Sequence, residues 1–453
     1  MFKIKKRKNM AKLEELFSMK LTENGDVAFN KVSFNNPNLN TLFGTEYYQN
    51  HLNEVTIGNT PKDRLFSMFI RDPRYGLGKR DLGRRLMKLS NVSLDNVIKA
   101  GRFDDVFAVF GLSKEVLDYA KKEIENGNEL VKKWMPRYSS QNLLLARKIA
   151  EYWGMTKQEY GHFIKCNTTE NKLSRKNTNE IIFEHVPSLA MLKYYKRFNT
   201  KEDTAARFKE YIETVKSGKK DLKVATTTVY DIYRNANSID PDVFFEKLEK
   251  ISGSWIPIVD TSGSMCNKND SFGKALAIGH YLGKCSTYAP NTVVSFSSRP
   301  QLIKLGITKP RVDCWYGTNH MPSDNTQYGR EIRSMYTGDY TNTDFGAVMN
   351  LLKDLDETPE YLVVLSDMEF DDGSRQSKNE LKKIWKENGY TTKIVWWNLN
   401  ERSFTSPEIA TTDDDGNFFL SGYNPMLLKF LDAGFDGEKF LDKLLDEYAK
   451  VIS

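Results

Sequence analysis

The sequence predicts a multidomain protein in which an all-α helical array is followed by an α/β doubly wound domain. From Lys62 to Glu249, apolar residues recur at three- and four-residue spacing between short polar or Gly/Pro breaks. After Ser252, apolar runs of strand length alternate with helical segments, which is typical of a mostly parallel sheet covered on both faces. With 453 residues available for two or three domains, we predict a basic N-terminal lead-in (1–60), a helical module (61–250) and an α/β domain (251–453).

The helical module consists of many short predicted helices. Their apolar runs are RLFSMFI, which stops at Asp72-Pro73, then LGRRLMKL, LDNVIKA, VFAVFG, KEVLDYAKKEIENG, LLLARKIAEYWG, SLAMLKYYKRF and ARFKEYIETVKSG. Brief connections between short helices favour an α-solenoid or irregular helical array over a four-helix bundle.

The α/β domain is predicted from four apolar strands and the helices between them. The strands are SWIPIVD, TVVSFS, YLVVLSD and TKIVWWNLN. The helices lie near Phe272 to Tyr288, in DFGAVMNLLKDL, near Ser377 to Glu387, and in PMLLKFLDAG and EKFLDKLLDEYAKVI.

Composition narrows the class of protein. Hydrophobic residues make up 40% and charged residues 28%, as in a folded chain. No apolar run approaches the roughly 18 residues of a membrane span, and the basic start MFKIKKRKNMAK runs into KLEELF and not into an apolar signal core. The four cysteines, Cys166, Cys266, Cys285 and Cys314, form no CxxC pair that would indicate zinc or a disulfide framework. We therefore expect a cytoplasmic protein, in the host cytoplasm if the chain is viral, with no membrane partner.

Charge divides the chain into two halves. Residues 1–250 carry 45 Lys+Arg and 32 Asp+Glu, a net +13, whereas the other 203 carry 21 and 28, a net −7. A basic half joined to an acidic half indicates that the first half meets a polyanion. The alternative is drift in surface charge.

Three polar clusters adjoin predicted elements of the α/β domain. They are Asp260-Thr261-Ser262-Gly263-Ser264 after WIPIV, Asn342-Thr343-Asp344 before an apolar helix, and Ser366-Asp367 after YLVVL. Loops beyond the carboxyl ends of parallel strands collect ligands. Two carboxylates and three hydroxyls suit a hard cation such as Mg²⁺, which needs no His or Cys ligand.

The motifs VDTSGSM, TNTDF and VLSDMEFD together resemble the metal-ion-dependent adhesion site (MIDAS) of von Willebrand factor A domains. The resemblance implies one divalent cation, Mg²⁺ or else Mn²⁺ or Ca²⁺. The implied ligands are Asp260, Ser262, Ser264, Thr343 and Asp367. The alternative is a polar strand-end loop that holds no metal.

A catalytic role for the same residues would need partner residues that the sequence does not place beside them. A phosphoaspartyl enzyme needs a second carboxylate two residues after its nucleophile, and position 262 is Ser. A serine hydrolase needs GxSxG and a partnered His, and DTSGS lacks the first Gly. We expect no enzyme. A metal-dependent hydrolase stays open only because oxygen-ligated Mg²⁺ supports phosphoryl chemistry.

A basic segment marks the helical module. Its candidate RNA contacts are Arg71, Arg74, Lys79, Arg80, Arg84, Arg85 and Lys88. Arg80, Arg84 and Lys88 are spaced to share one helical face, which could bind phosphates or be simply solvated. Mixtures of basic and aromatic residues at KKWMPRY (132–138) and KYYKRF (193–198) have the composition of single-strand clamps, although aromatics at helical spacing are more often core.

The run RDPRYGLGKRDLGRRL, with AGRFDDVFAVFG, KKWMPRYSS, VPSLAMLKYYKRF and FKEYIETVKSGK, resembles Ro-like proteins. These pair a TROVE-type module of HEAT-like helices with a von Willebrand A domain, over roughly residues 60 to 450 here. The resemblance implies an RNA-binding ribonucleoprotein scaffold for structured or misfolded non-coding RNA. The alternative is a protein-interaction or assembly factor whose metal captures an acidic side chain of a partner.

Overall fold

A computed structural model of the chain confirms the helical array followed by an α/β domain. It describes residues 19–21, 27–29, 36–43, 48–49, 51–73, 75–139, 141–224, 226–307, 321–338, 341, 343–352, 357–367, 383, 387, 389, 391–400, 411–412, 417–423, 426–434 and 436–453. The chain divides into two compact units. The helical unit contains Tyr48–Thr226 and Leu441–Ser453, and the sheet unit contains Met1–Tyr47 and Thr227–Phe440.

The first part of the chain is mainly helical. Its elements are β1 (Met19–Leu21), β2 (Val27–Phe29), α1 (Pro37–Phe43), α2 (Pro61–Arg71), α3 (Arg80–Leu89), α4 (Leu94–Ala100), α5 (Phe103–Phe110), α6 (Lys114–Glu125), α7 (Glu129–Trp134), α8 (Leu143–Tyr152), α9 (Lys157–Phe163), α10 (Thr169–Ser174), α11 (Ser188–Thr200), α12 (Ala205–Lys216), α13 (Val229–Asn235) and α14 (Pro241–Lys247).

Strands and helices alternate in the remainder. The elements are β3 (Trp255–Asp260), α15 (Ser271–Cys285), β4 (Thr292–Phe296), β5 (Gln301–Lys304), α16 (Gln327–Ser334), α17 (Phe345–Leu352), β6 (Tyr361–Ser366), β7 (Lys393–Asn398), β8 (Thr411–Thr412), β9 (Phe418–Ser421), α18 (Met426–Asp432) and α19 (Gly437–Ile452). The helix predicted near Ser377 to Glu387 falls outside the described residues, apart from single helical positions at 383 and 387.

Local sequence fixes where α2 begins and ends. The Thr60 hydroxyl accepts a hydrogen bond from the Asp63 N–H at 3.1 Å, and the Asp63 carboxylate accepts one from the Thr60 N–H at 3.0 Å. This capping box satisfies two of the N–H groups that a helix start leaves without partners. The helix ends at Arg71 because Pro73 disfavours helical backbone at Asp72.

The large sheet has the strand order β5-β4-β3-β6-β7-β9-β8. The five central strands are parallel to one another, and the edge strands β5 and β8 run antiparallel. Parallel neighbours bring their carboxyl ends to one edge of the sheet. That edge therefore carries the loops after β3, β4 and β6.

Helices cover both faces of the sheet. On one face α17 packs against alternate strand residues such as Ile258, Phe296 and Val364, all buried. On the other face lies α15, which is almost entirely buried. Its Gly283 sits so close that an added Cβ would lie 2.7 Å from Val293 Cγ1. Side chains alternate along a strand, so each face of the sheet has its own core.

Among the described residues no helix is both long and apolar enough to cross a bilayer.

Candidate metal centre and nucleic-acid interface

The polar clusters meet at the carboxyl edge of the sheet. Asp260 is the last residue of β3, and Asp367 directly follows β6. The parallel register pairs Val259 with Leu365, so Asp260 lies beside Ser366. Both carboxylate residues are buried, with relative exposures of 0% and 2%. The structure thus brings two acidic side chains from distant positions to neighbouring strand ends.

The Asp260 carboxylate is held by two hydrogen bonds. Its Oδ1 accepts the Ser262 N–H at 2.9 Å, and its Oδ2 accepts the Ser366 hydroxyl at 2.5 Å. The Ser262 bond bends the chain back directly after the strand, as an Asx-type turn does. Ser366 is therefore a positioning residue for Asp260, and its only sequence signal was the Ser-Asp pair at a strand end.

The hydroxyls of Ser262 and Ser264 lie next to each other in the loop after β3. Their Oγ atoms are 3.1 Å apart. Asn267 braces this loop, because its Nδ2 donates to Ser264 O at 3.3 Å and to Ser271 Oγ at 2.9 Å. Ser271 Oγ in turn donates to Leu399 O at 2.8 Å. The sequence pattern gave no signal for the role of Asn267.

The Thr343 cluster joins the same edge through β4. Thr343 is buried, and the N–H of the next residue, Asp344, donates to Ser297 O at 3.3 Å. On the other side, the Thr261 N–H donates to Phe296 O at 2.8 Å. The loops after β3 and before α17 are thus both attached to the end of β4. Asn342, part of the predicted cluster, lies outside the described residues.

Burial and like charge dominate the electrostatics of this edge. Burial, reinforced by the negative charge of Asp367, raises the pKa of Asp260 well above that of an exposed aspartate. A cation between the carboxylates would remove that repulsion. Within the described ranges no cluster of three or more His, Cys, Asp and Glu side chains occurs. The candidate donor set here has two carboxylates and three hydroxyls instead, which suits a hard cation.

The residues of the basic segment differ in how far they are exposed in the structure. Arg80 and Lys88 are exposed on α3, whereas Lys79 and Arg85 are half-buried. Arg74 lies outside the described residues. Among the described residues, the ion pair of Arg80 is with Asp81 at the surface, at 3.2 Å. Of the six predicted contacts that the structure describes, Arg80 and Lys88 are therefore the exposed ones.

Arg71 and Arg84 are committed to a buried aspartate. Asp105 is fully buried, with Arg71 Nη2 at 2.7 Å from Oδ2 and Arg84 Nε at 2.6 Å from Oδ1. Arg84 Nη2 also lies 2.7 Å from Asp104 Oδ2. Arg71 itself is 1% exposed. A buried guanidinium held by Asp105 is not available to a phosphate at the surface, so we no longer assign RNA contact to Arg71.

The two mixed basic and aromatic segments differ. In KYYKRF the aromatics Tyr195 and Phe198 are buried, as helical spacing suggests. In KKWMPRY, Trp134 is half-buried and carries Arg102 over its ring at 4.2 Å from the centroid. Arg102 was missed because it lies 32 positions earlier in the chain (134 − 102) and no pattern links it to Trp134.

Two families of unknown function match parts of the chain. Residues 254–449 match the family described as Domain of unknown function (DUF7788), and residues 163–256 match Domain of unknown function (DUF2828). Each match covers less than half of the chain. The similarity to von Willebrand A and TROVE domains thus remains a resemblance. None of the curated proteins compared with the chain matches it.

One solved structure is similar in layout. It is titled "Crystal structure of Deinococcus radiodurans RO (RSR) protein", is 10% identical, and aligns over 89% of this chain and 94% of that chain with a TM-score of 0.40.

Proposed function

We propose that this chain is a non-enzymatic RNA-binding scaffold whose sheet unit binds one divalent cation, Mg²⁺ or a similar ion. The observation that carries the metal proposal is the pair of buried carboxylates, Asp260 and Asp367, beside the hydroxyls of Ser262 and Ser264. Thr343 supplies the fifth candidate ligand from the edge of the same sheet. When bound, the cation would neutralise the two carboxylates and offer one or more open positions to a partner.

Support for RNA as the partner comes from charge. Residues 1–250 carry a net +13, and cationic faces bind nucleic acid through phosphate contacts. The resemblance to Ro-like sequences points the same way. A protein-interaction factor is the second candidate, favoured by apolar side chains that α8 exposes, namely Leu144 at 71% and Tyr152 at 44%. Recovery of crosslinked RNA from cells with the full chain distinguishes the two, because only the scaffold carries abundant RNA.

The metal proposal is tested with Asp260→Asn, which keeps a hydrogen-bond acceptor for the Ser262 N–H and removes the charge. We expect calorimetric titration to show no Mg²⁺ binding by this variant. In EDTA it should melt at a higher temperature than the wild type, because repulsion by Asp367 is relieved. Added Mg²⁺ should stabilise the wild type, by about 2.7 kcal/mol at a hundredfold excess over Kd, and should not stabilise Asp260→Asn.

Asp324→Asn is the matched control, since Asp324 is an exposed aspartate of the same unit. It should bind Mg²⁺ like the wild type. Unchanged Mg²⁺ affinity in Asp260→Asn would remove the metal assignment. Incubation of the Mg²⁺-loaded wild type with nucleotides and phosphate esters should give no hydrolysis above background, and turnover lost in Asp260→Asn would contradict the non-enzymatic proposal.

A further inference from the structure

Trp134 and Arg102 form a cation–π pair in the helical unit. The Arg102 guanidinium carbon lies 4.2 Å from the centroid of the Trp134 ring, and Lys133 Nζ lies 5.4 Å from it. Both members of the pair are half-buried. A guanidinium has all its N–H donors in one plane, so packing its face on an aromatic ring leaves the donors along its edges available to an anion.

The carboxylates near Arg102 are already engaged by other groups. Asp105 contacts Arg71 and Arg84 and also accepts the Arg102 backbone N–H at 2.7 Å. Asp104 is paired with Arg84. Across the described part of the chain, no carboxylate lies in ion-pair contact with the Arg102 side chain. The guanidinium of Arg102 is therefore not paired with a carboxylate of the described residues, whereas those of Arg71 and Arg84 are.

An excess of positive charge surrounds Arg102. Burial lowers its pKa, and the charges of Arg71 and Arg80 lower it further, against the opposite effect of Asp104 and Asp105. In the described part of this region, the guanidinium groups of Arg71, Arg80, Arg84 and Arg102 outnumber the carboxylates of Asp81, Asp104 and Asp105. An anion bound at Arg102 would relieve the repulsion between these cations.

We propose that Arg102, held on Trp134, is a phosphate contact for single-stranded RNA. This inference rests on the proposed RNA-binding function and adds to it a site that lies outside the basic segment. A guanidinium matches a phosphate with two parallel hydrogen bonds, and the Trp134 ring holds the Arg102 side chain in place.

The test uses the full chain and a labelled, unstructured single-stranded RNA, with anisotropy measured over a range of salt concentrations. Arg102→Gln should weaken binding about tenfold and reduce the salt slope by about 0.7, the value of one phosphate contact on a single strand. Arg102→Lys keeps the charge and loses the planar fork, so it should keep the slope and lose less affinity. Lys148→Gln removes an exposed charge from α8 and is the matched control.

A second measurement needs no variant and decides the matter if Arg102→Gln fails to fold. Phenylglyoxal modification of wild-type Arg102, followed by peptide mass spectrometry, should be suppressed by the RNA. This inference is wrong if the wild type binds RNA and Arg102→Gln binds it equally well, or if RNA does not protect Arg102 from phenylglyoxal. In either case the proposed function still stands. Protection by polyglutamate as strong as by RNA would overturn the inference in favour of an acidic protein. Absence of RNA binding by the wild type would overturn the proposed function itself.

Discussion

Asp105 is the buried carboxylate that compensates the charge of the arginines packed around it. It has no exposed surface, and Arg71, Arg84 and the Arg102 N–H all contact it. Among the described residues, Arg71 Nε and Nη2 have no partner in hydrogen-bond geometry, although Nη2 lies 2.7 Å from Asp105 Oδ2. The charge of Asp105 is therefore the main compensation for burying that guanidinium. Removal of one partner of such a pair leaves the other as a buried, uncompensated charge.

We expect Asp105→Ala to lower the free energy of unfolding by about 3 to 5 kcal/mol. Thermal or urea unfolding followed by circular dichroism measures the change. Asp203→Ala is the control, because Asp203 pairs with Arg197 at the surface and exposed pairs contribute much less. Equal losses in the two variants would contradict the role given to Asp105.

Glu331 is a second buried acid, and its interactions make stability depend on pH. His280 Nε2 lies 2.6 Å from Oε2, and Lys284 Nζ donates to Oε1 at 3.0 Å. Burial would raise the pKa of Glu331, but the interaction with His280 and further hydrogen bonds lower it to about 2 from an ordinary value of 4.5. A lowered pKa stabilises the fold above pH 4.5, and that contribution is lost as the pH falls toward 2.

Glu331→Gln should therefore lower the free energy of unfolding at pH 7 by about 2 to 3 kcal/mol. The deficit should shrink as the pH falls from 4.5 toward 2, because the wild type then loses the same contribution. Unfolding curves across this pH range test the sign. Glu246→Gln changes an exposed glutamate of the same unit, and it should leave the free energy of unfolding at pH 7 nearly unchanged. A deficit for Glu331→Gln that is constant with pH would contradict the assignment.

At the scale of elements, α15 approaches the sheet unusually closely. A Cβ at Gly279 would overlap the Val259 side chain, and one at Gly283 would lie 2.7 Å from Val293 Cγ1. These glycines let the helix axis approach the strands that end in the candidate metal site. Gly283→Ala should therefore lower the melting temperature despite the higher helix propensity of alanine.

Gly161→Ala is the opposite case and serves as the control. Gly161 lies in α9, and a Cβ added there would meet no neighbouring atom within 4 Å outside the adjacent helix backbone. Alanine there should raise the free energy of unfolding by about 0.4 to 1 kcal/mol, because it restricts the unfolded chain. If Gly283→Ala were as stable as the wild type, the sheet contact would not require glycine at this position.

The elements that could be predicted from sequence are those with strong patterns. The strands that became β3, β4, β6 and β7 are apolar runs of Val, Ile, Leu and Trp, and all four lie in the central parallel sheet. The edge strand β5 is short and mostly exposed, so it lacks such a run. Helices such as α7 and α10 have six residues, too few to display a period of 3.6.

The candidate metal site was predictable for a related reason. Strand ends are local signals, and parallel pairing then places Asp260 and Ser366 side by side. The basic segment was less predictable, because spacing along α3 does not reveal which arginines meet a carboxylate. Asp105 lies 34 positions after Arg71 (105 − 71), and only the packing of the helices brings them together.

At the scale of the whole molecule, the two proposed activities belong to different compact units and to halves of opposite charge. The candidate ligands from Asp260 to Asp367 lie in the sheet unit, whereas α3 and Trp134 lie in the helical unit. The helical unit carries 36 Lys+Arg and 25 Asp+Glu, a net +11, whereas the sheet unit carries 30 and 35, a net −5. We therefore expect RNA binding and metal binding to be separable by mutation.

The variants that test this separation follow from the contacts. Arg84 is left unchanged in these variants, because its guanidinium forms ion pairs with Asp104 and Asp105. Arg80→Glu combined with Lys88→Glu changes two exposed charges on α3 and should weaken RNA binding across unrelated sequences, since phosphate contacts do not read bases. The salt slope should fall by about 0.7 for each lost contact. Calorimetry should show unchanged Mg²⁺ affinity in this double variant. Asp260→Asn should lose Mg²⁺ binding and bind RNA like the wild type. RNA binding equal to the wild type at every salt concentration would mean that this face of α3 is only solvated, and that the RNA contacts lie at Arg102 and Trp134 or elsewhere in the helical unit.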